Sequence, residues 1–333
     1  METTTTSLDA PQRVGPVRLL LVLALLVLSP IAAESLVGYD DTTGNALALL
    51  AGLVVFIPLY GAPAVLLREA ARRFGLGWGA VLAIAAALGV VQAGIIDQSM
   101  FSEDYRGIDY WQELVGPTWI PAFGFAASTA LTFVLGHMIM SFAAPIAVVE
   151  GLGPRSADRP WLRPFGLIVT VLLYLAGAWM VLDWHYETET DHASAGQLAG
   201  AGAVAALLIV LALAFGRRKA VRVERRIPPL WVLVAASAVA VFSFGLYETW
   251  AWVAVTAGML CAAGLAAAYF ARSTAWGRRQ VTAIAIGALL SQALTGFLAT
   301  PIGDVDPVAK YGHNTAAVLL IAVLGWFALR RTR

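Results

Sequence analysis

QLAGAGAVAALLIVLALAFGRRKAVRVERR, residues 197–226, is the stretch that decides the fold class of this chain. Residues 197–215 carry no charge, whereas six of the residues that follow, up to position 226, are basic. An α-helix of about 20 apolar residues crosses the hydrocarbon core of a bilayer, and lysine and arginine accumulate in the cytoplasmic loops beside such helices. The stretch therefore predicts a membrane-spanning helix whose carboxyl end lies in the cytoplasm.

Nine other segments of similar length and composition accompany this one. The ten predicted spans run approximately over residues 17–33, 46–67, 78–97, 120–148, 165–183, 197–215, 229–247, 250–271, 281–299 and 314–330. The chain is 59% hydrophobic and 13% charged, which excludes an ordinary soluble domain, and no basic patch points to nucleic acid. We expect an all-α polytopic transmembrane bundle, with one domain over residues 17–330 and cytoplasmic tails at 1–16 and 331–333.

Basic residues are divided unequally between the gaps that separate these spans. Of the 22 lysines and arginines, 20 lie in every second gap, and the alternate gaps hold only Arg106 and Lys310. Fifteen of the 21 acidic residues show the opposite bias. Both termini are therefore predicted to be cytoplasmic. The first segment also fits a cleavable signal peptide, since Arg13 and Arg18 precede an apolar run that ends in small residues; its removal would leave the orientation unchanged.

Prolines interrupt the apolar segments of the first half only, at Pro30, Pro58, Pro63 and Pro145. Broken helices are tolerated in membranes where neighbouring protein or water satisfies the freed backbone groups. The longest gap, residues 98–119, is too short for a soluble domain. We therefore expect the chemistry of this protein in the helices and short loops of its first half.

Three polar side chains are predicted near the midplane of the membrane. Counted from the cytoplasmic helix ends, His137 and Gln292 lie roughly 17 Å deep and Gln92 lies roughly 21 Å deep. Helical spacing aligns His137 with small residues, which predicts contact with other helices. It is either a proton relay or substrate contact, or a neutral histidine that holds the bundle together by bonding to a partner such as Gln292. Ser291 completes the candidate pocket.

Further polar side chains are predicted at the outer edge of the bundle. The outer-mouth candidates are Asp97, Glu248, Asp304, His313 and Asn314. Carboxylates and imidazoles can bind divalent metals or exchange protons, although an unconnected, hydrated rim explains them equally well. No catalytic residue, metal or cofactor is assigned.

Three other residues are expected to have ordinary structural roles. His185 and His192 are expected to be solvated in an acidic external loop. Cys261 is the single cysteine, which excludes disulfides within the chain and cysteine-based zinc sites. We expect it to pack between helices.

Four stretches together resemble an uncharacterised family of actinobacterial multi-pass membrane proteins. They are PLYGAPAVLLREAARRFGLGW (58–78), GVVQAGIIDQSMF (89–101), GHMIMSFAAPIAVVEGL (136–152) and GDVDPVAKYGHN (303–314). The excess of arginine over lysine is also typical of high-GC bacteria. The resemblance implies a membrane fold and a location in the bacterial cytoplasmic membrane, without implying an activity.

A partial resemblance links the chain to the CAAX-protease and bacteriocin-processing membrane family. The matching positions are Glu69 with Arg73, Phe133 with His137, and His313. Arg68 stands where that family has its first glutamate, and Asn314 directly follows the last histidine instead of standing four residues later. The resemblance implies a shared metal, whose ligand atoms would lie about 2 Å from one ion. The predicted depths of Glu69, His137 and His313 are too different for that arrangement.

The working hypothesis is a small-solute or ion permease whose polar pocket lies between the third, fourth and ninth spans, with His137 central and Asp97 at the outer entrance. One alternative is a membrane-embedded enzyme, either metalloprotease-like or a lipid-linked-sugar glycosyltransferase that uses Asp40 and Asp41 in the first external loop. Those two aspartates also fit a simple turn. Another alternative is a noncatalytic assembly or scaffold protein. The expected partners are the lipid bilayer and a small solute or ion, and no protein partner is assigned.

Overall fold

The computed structural model describes residues 15–217, 221–243 and 249–332. Its α-helices are α1 (Pro16–Pro30), α2 (Ala46–Phe56), α3 (Ala62–Phe74), α4 (Trp78–Val91), α5 (Trp111–Val115), α6 (Ala127–Gly136), α7 (Ala144–Leu152), α8 (Pro164–Thr188), α9 (Ala195–Phe215), α10 (Leu230–Phe242), α11 (Trp250–Phe270), α12 (Arg278–Thr295) and α13 (Pro307–Arg331). Short 3₁₀ turns lie at Tyr105–Gly107 and Gly116–Thr118.

The predicted all-α polytopic bundle is confirmed. Within the described residues, eight helical stretches are long and apolar enough to cross a membrane: Pro16–Ser35, Ala46–Phe74, Trp78–Ile96, Ala127–Leu152, Pro164–Thr188, Ala195–Phe215, Trp250–Phe270 and Pro307–Arg331. The predicted seventh span is helical only over the 13 residues of α10, and part of its expected range lies outside the described residues. The predicted ninth span corresponds to the 18-residue α12, which begins with Arg278, Arg279 and Gln280.

Three details differ from the sequence prediction. The fourth span begins at Ala127 rather than near residue 120, because Trp119–Ile120 and Phe125–Ala126 form a short antiparallel hairpin in front of it. The second span continues to Phe74, where Gly75 ends the helix in a left-handed conformation. Cys261 is exposed on α11 instead of packing between helices.

Four π-helical segments interrupt the first four spans. They are Ile31–Ser35, Ile57–Gly61, Gln92–Ile96 and His137–Ala143. Three are associated with the prolines singled out above: Pro30 precedes the first, Pro58 lies within the second, and Pro145 follows the fourth. Proline has no N–H and its ring clashes with the carbonyl four residues earlier, so a wider π turn relieves the conflict. The third segment contains no proline.

Two glycines bring these interrupted helices close together. A Cβ at Gly61 would collide with the Leu26 carbonyl of α1, and a Cβ at Gly89 would lie 2.7 Å from the Val134 carbonyl oxygen of α6. Small residues permit this kind of close backbone approach between membrane helices. The two contacts set the second span against the first and the third against the fourth.

Candidate functional site

The π-helical segments bring polar side chains of four spans into one region of the bundle. We call this group the π-helical polar cluster; its members are Ser29, Glu34, Tyr60, Gln92, His137 and Ser141, and all except Ser29 lie in a π segment. A π turn adds one residue to the helix and frequently occurs at functional sites. The arrangement gathers ionisable and hydrogen-bonding groups where lipid offers them no partner.

His137 has two well-defined contacts. Its Nδ1 atom lies 3.0 Å from the Ser141 hydroxyl, four residues further along the same span. Its ring stacks on Tyr60, with 5.6 Å between ring centroids and 26° between planes. His137 thus connects the second span to the fourth, and its partner is Ser141 rather than Gln292.

From Tyr60 the contacts continue toward the first loop. Tyr60 lies close to Glu34. The Tyr39 hydroxyl donates to Glu34 Oε2 over 2.5 Å. The negative charge of Glu34, together with burial, raises the pKa of Tyr39 well above its ordinary value. A series of protonatable side chains therefore runs from Tyr39 through Glu34 and Tyr60 to His137.

Gln92 is buried, and among the described residues only the Nε2 atom of its side-chain amide has a hydrogen-bond partner. Its Nε2 donates to the Leu59 carbonyl oxygen over 2.7 Å. Leu59 lies four residues before Pro63, which has no N–H to offer that carbonyl. The Oε1 atom of Gln92 has no hydrogen-bond partner among the described residues. Gln92 thus satisfies a backbone group that proline leaves free, while retaining one unused acceptor inside the bundle.

Ser29 makes the corresponding contact at another proline. Its hydroxyl donates to the Ser141 carbonyl oxygen over 2.5 Å. Ser141 lies four residues before Pro145, so the usual helical donor for this carbonyl is missing as well. Two polar side chains of the cluster therefore compensate backbone groups in neighbouring spans. Sequence reasoning missed Ser29 and Tyr60, although the i, i+4 relation to proline would have identified the carbonyls that need donors.

The ninth-span candidates lie apart from this cluster. Ser291 is buried and Gln292 is partly buried on α12, which packs mainly against α7, α10 and α13. Within the described part of the chain, Gln292 forms no hydrogen bond with His137 or Gln92. The polar contacts thus join the first four spans rather than the third, fourth and ninth.

Two outer-mouth candidates approach the carboxyl end of the first span. Asp97 follows the third span, is partly buried, and accepts hydrogen bonds from the Ser99 amide (2.9 Å) and hydroxyl (2.7 Å). Burial raises its pKa to about 6 and outweighs the bonds from Ser99, which lower it; the nearby charge of Glu34 raises it further. His313 Nε2 lies 2.6 Å from the Ser35 carbonyl oxygen.

The other outer-mouth candidates have separate environments. Asn314 is buried, donates from Nδ2 to the Gly296 carbonyl oxygen over 2.8 Å, and has no partner for Oδ1 among the described residues. Asp304 is exposed in the loop before α13. Glu248 lies outside the described residues. The candidates therefore do not converge on a single point.

The histidines of the acidic external loop differ from the sequence prediction. His192 is exposed, whereas His185 is buried at the end of α8. His192 Nδ1 lies 3.3 Å from His185 Nε2, and the Tyr186 ring packs against both imidazoles. The prediction that both histidines are solvated was wrong for His185, because the loop folds back over the helix end.

A small cavity lies between the first loop, α2 and α13. Its volume is about 30 Å³, and its lining includes Glu34, Asp40, Thr43, Phe56 and His313. We call it the outer cavity. A cavity of roughly 10–15 Å³ holds one water molecule, so this one has room for a small hydrated species. It shares Glu34 with the π-helical polar cluster.

A buried ion-pair network lies at the opposite end of the bundle, where sequence analysis had counted charges only for topology. Arg68 Nη1 lies 2.7 Å from Glu69 Oε1, and Arg68 Nε lies 3.2 Å from Glu150 Oε1. Arg72 binds Glu150 through two nitrogens, at 2.7 and 2.5 Å. Arg73 completes the network with a 3.2 Å contact to Glu69. Glu150 ends the fourth apolar segment beside the basic end of the second, which is the signal that could have revealed the pairing.

The network also holds the loop that follows α7. The Glu69 carboxylate accepts hydrogen bonds from the Trp161 and Leu162 amides at 2.7 and 3.2 Å. The Arg68 guanidinium donates to the Ala157 carbonyl and stacks 3.6 Å from the centre of the Trp161 ring. These contacts close this end of the bundle with three arginines and two glutamates, each of which has a partner of opposite charge.

The residues that motivated the enzyme alternatives have separate environments in the described part of the chain. Those residues contain no group of three or more His, Cys, Asp or Glu side chains placed to hold a metal, so Glu69, His137 and His313 do not meet as the CAAX-protease resemblance requires. Asp40 accepts bonds from the Thr42 amide and hydroxyl, as in a simple turn, and Asp41 is exposed.

Comparison with known proteins identifies a family but not an activity. Residues 22–298, most of the chain, match a family described as an uncharacterized membrane protein family. No curated protein and no solved structure matches the chain. The family description agrees with the helical bundle and with its eight apolar helical stretches. The chain therefore belongs to an uncharacterized membrane protein family.

Proposed function

We propose that the protein is a permease for a small ion or solute, and that its pathway runs from the outer cavity and Asp97 to His137. The observation that carries this proposal is the coincidence of helix breaks with polar groups: each of the first four spans turns π-helical where it contributes to the polar cluster. Intramembrane ionisable residues are expensive in lipid and commonly mark ion or proton pathways.

The chemistry of the cluster suits proton movement or proton-coupled transport. Imidazole gains and loses a proton near neutral pH, so His137 is the natural acceptor at mid-depth. Tyr60 stacks on His137 and lies close to Glu34, and its hydroxyl can both donate and accept a hydrogen bond. The unused Oε1 of Gln92 offers an acceptor to a passing cation or water.

The conformation described here is closed below His137. Apolar side chains, including Phe142 and Ile146, are fully buried in the core beyond the cluster, and the ion-pair network follows them. Passage would require these elements to separate. We place this closed end in the cytoplasm and the outer cavity outside a bacterial cell, because the predicted cytoplasmic gaps hold 20 of the 22 basic residues.

A flux assay tests the proposal. Purified protein is reconstituted into liposomes that contain a pH-sensitive dye, and a potassium diffusion potential is imposed with valinomycin. We expect proton uptake with the native sequence, and a loss of at least tenfold in His137→Ala. His192→Ala is the matched control, because that exposed histidine lies outside the cluster, and it should retain the native rate.

A second measurement separates transport from packing. Thermal stabilisation of the purified protein is screened across ions, amino acids, sugars and lipids, and any ligand found is then supplied in the flux assay. Native rates in well-folded His137→Ala, or no flux under any condition, would contradict the permease. Loss of folding in His137→Ala would favour the packing role, and Tyr60→Phe, which keeps the ring stack but removes the hydroxyl, then provides the decisive comparison.

One observation favours the noncatalytic assembly role instead. Gln92 and Ser29 both use side-chain donors to satisfy carbonyls that prolines leave free. Polar side chains with such partners can have a purely structural role, in which they hold helices together. This alternative predicts that cluster variants lose stability in proportion to their lost hydrogen bonds and that the native protein shows no flux.

A further inference from the structure

The outer cavity is the enclosed space that the proposed pathway meets first. The turn at residues 40–43 forms one wall, held by the Thr43 amide, which donates to the Asp40 carbonyl oxygen over 3.2 Å. Gly38 forms another wall, and its backbone adopts a φ of +63°. A Cβ at this position would lie 2.9 Å from the Thr43 methyl group and 3.0 Å from the His313 ring. Gly38 therefore permits the first loop and α13 to meet around the cavity.

Thr43 presents an unused polar group to this space. The residue is only 3% exposed, it lines the cavity, and its hydroxyl has no hydrogen-bond partner among the described residues. A buried hydroxyl without a partner is costly, so native proteins seldom retain one without a reason. The hydroxyl oxygen is available to a ligand inside the cavity.

The charge of the lining favours a cation. Glu34 and Asp40 both line the cavity, and no lysine or arginine does. The contact between His313 Nε2 and the Ser35 carbonyl oxygen requires a proton on Nε2, because a carbonyl can only accept.

We infer that the outer cavity binds one monovalent metal cation of the Na⁺ class, with the Thr43 hydroxyl and the Glu34 and Asp40 carboxylates as its oxygen donors. Hard cations prefer such oxygen donors. Both carboxylates already accept a hydrogen bond, Glu34 from Tyr39 and Asp40 from Thr42. These bonds weaken the attraction of the carboxylate oxygens for a cation, which suits an ion with a single positive charge.

This inference rests on the proposed function only for the role of the bound cation in transport. In that role, the cation is either the transported ion or the ion coupled to transport. Binding itself needs no transport. It can therefore be measured on purified full-length protein in detergent, before any liposome experiment.

The test is equilibrium binding of radioactive Na⁺ at pH 7.5, with choline chloride keeping the ionic strength constant. We expect saturable binding by the native sequence, and binding weakened by about tenfold or more in Thr43→Val, which keeps the shape of the side chain and loses the hydroxyl. Thr43→Ser, which retains the hydroxyl, should bind close to normally. Thr315→Val is the matched control, because the Thr315 hydroxyl bonds to the Tyr311 carbonyl on the exposed side of α13.

Three results would overturn the inference: no saturable binding of Na⁺ or K⁺, equal binding by Thr43→Val and the native sequence, or Ca²⁺ displacing Na⁺ at far lower concentration. Proton uptake that requires Glu34 without any Na⁺ binding would also overturn it and assign the cavity to protons. Na⁺ binding without flux would leave the site intact and contradict the permease. Saturable Na⁺ binding that Thr43→Val abolishes, together with flux that Thr43→Val leaves unchanged, would keep both the site and the permease and contradict only the coupling of this cation to transport.

Discussion

Replacing Glu150 with glutamine tests whether the buried ion-pair network closes the bundle. The Glu150 side chain is 2% exposed and holds Arg68 at 3.2 Å and Arg72 at 2.5 Å. Glu150→Gln preserves its shape and removes its charge. Arg72 would then lose its carboxylate partner, and Arg68 would keep only Glu69, which it shares with Arg73.

The expected loss is about 3 kcal/mol in the free energy of unfolding, because removing one partner of a buried pair leaves uncompensated charge and typically costs about 3–5 kcal/mol. Arg68→Met should cost less, since Glu69 keeps Arg73 and Glu150 keeps Arg72. The double variant should lose less than the sum of the single losses, because residues in one network couple by about 0.5–3 kcal/mol.

The assay is reversible unfolding of the purified protein in mixed micelles, followed by circular dichroism. Asp158→Asn is the control: Asp158 belongs to the loop that the network holds, but its side chain is 80% exposed and pairs with Arg278 at the surface. Exposed pairs of this kind contribute about 0–1 kcal/mol. A Glu150→Gln protein within about 0.5 kcal/mol of the native sequence, or one no worse than the control, would refute the reasoning.

Three further predictions follow from single contacts. Burial raises the pKa of Asp97 to about 6, so the stability that its protonated form contributes is present below about pH 4 and is lost as the pH rises to about 6. Between pH 4 and 7.5 the free energy of unfolding of the native sequence should fall by up to about 3 kcal/mol, measured as a lower melting temperature, and that of Asp97→Asn should fall much less. Parallel curves would contradict this. Ser29→Ala should cost about 1 kcal/mol in unfolding free energy, and less in a Pro145→Ala background that restores the missing N–H; equal costs in both backgrounds would argue against the proline explanation. Gly61→Ala should destabilise by about 2 kcal/mol or more through its collision with α1, whereas Gly258→Ala, which meets no atom within 4 Å, should be close to neutral in the same melting assay.

Much of the fold was predictable from the sequence, because crossing a bilayer requires long apolar helices with internally satisfied backbones. The positions of the prolines also predicted correctly that the interrupted helices lie in the first half of the chain. Within the described residues, all four π-helical segments belong to the first four spans. The seventh span was harder to predict, since an apolar stretch does not reveal where its helix stops. The hairpin at 119–126 was missed because its residues are as apolar as the helix that follows.

The partners of the candidate site residues could not be predicted from the sequence. Counting helical rise predicts that His137 and Gln92 lie near the midplane, but a depth contains no information about which face of a helix meets which neighbour. His137 contacts Ser141 and Tyr60, whereas Gln292 lies on α12, which packs mainly against α7, α10 and α13. A π turn also shifts the phase of every later residue, so helical spacing beyond it cannot be read from an ideal helix.

The sequence by itself determined that this chain is a helical membrane protein, which of its segments are apolar, and that its basic residues are concentrated in alternate gaps between those segments. Those properties follow from the transfer of individual side chains and peptide groups between water and lipid, which depends on composition along the chain. Only the tertiary structure decided that Glu34, Tyr60 and His137 form one series, that Thr43 faces a cavity, and that Glu150 pairs with Arg68 and Arg72. Such contacts join residues far apart in sequence, and they depend on helix rotation and close packing, which local composition does not specify.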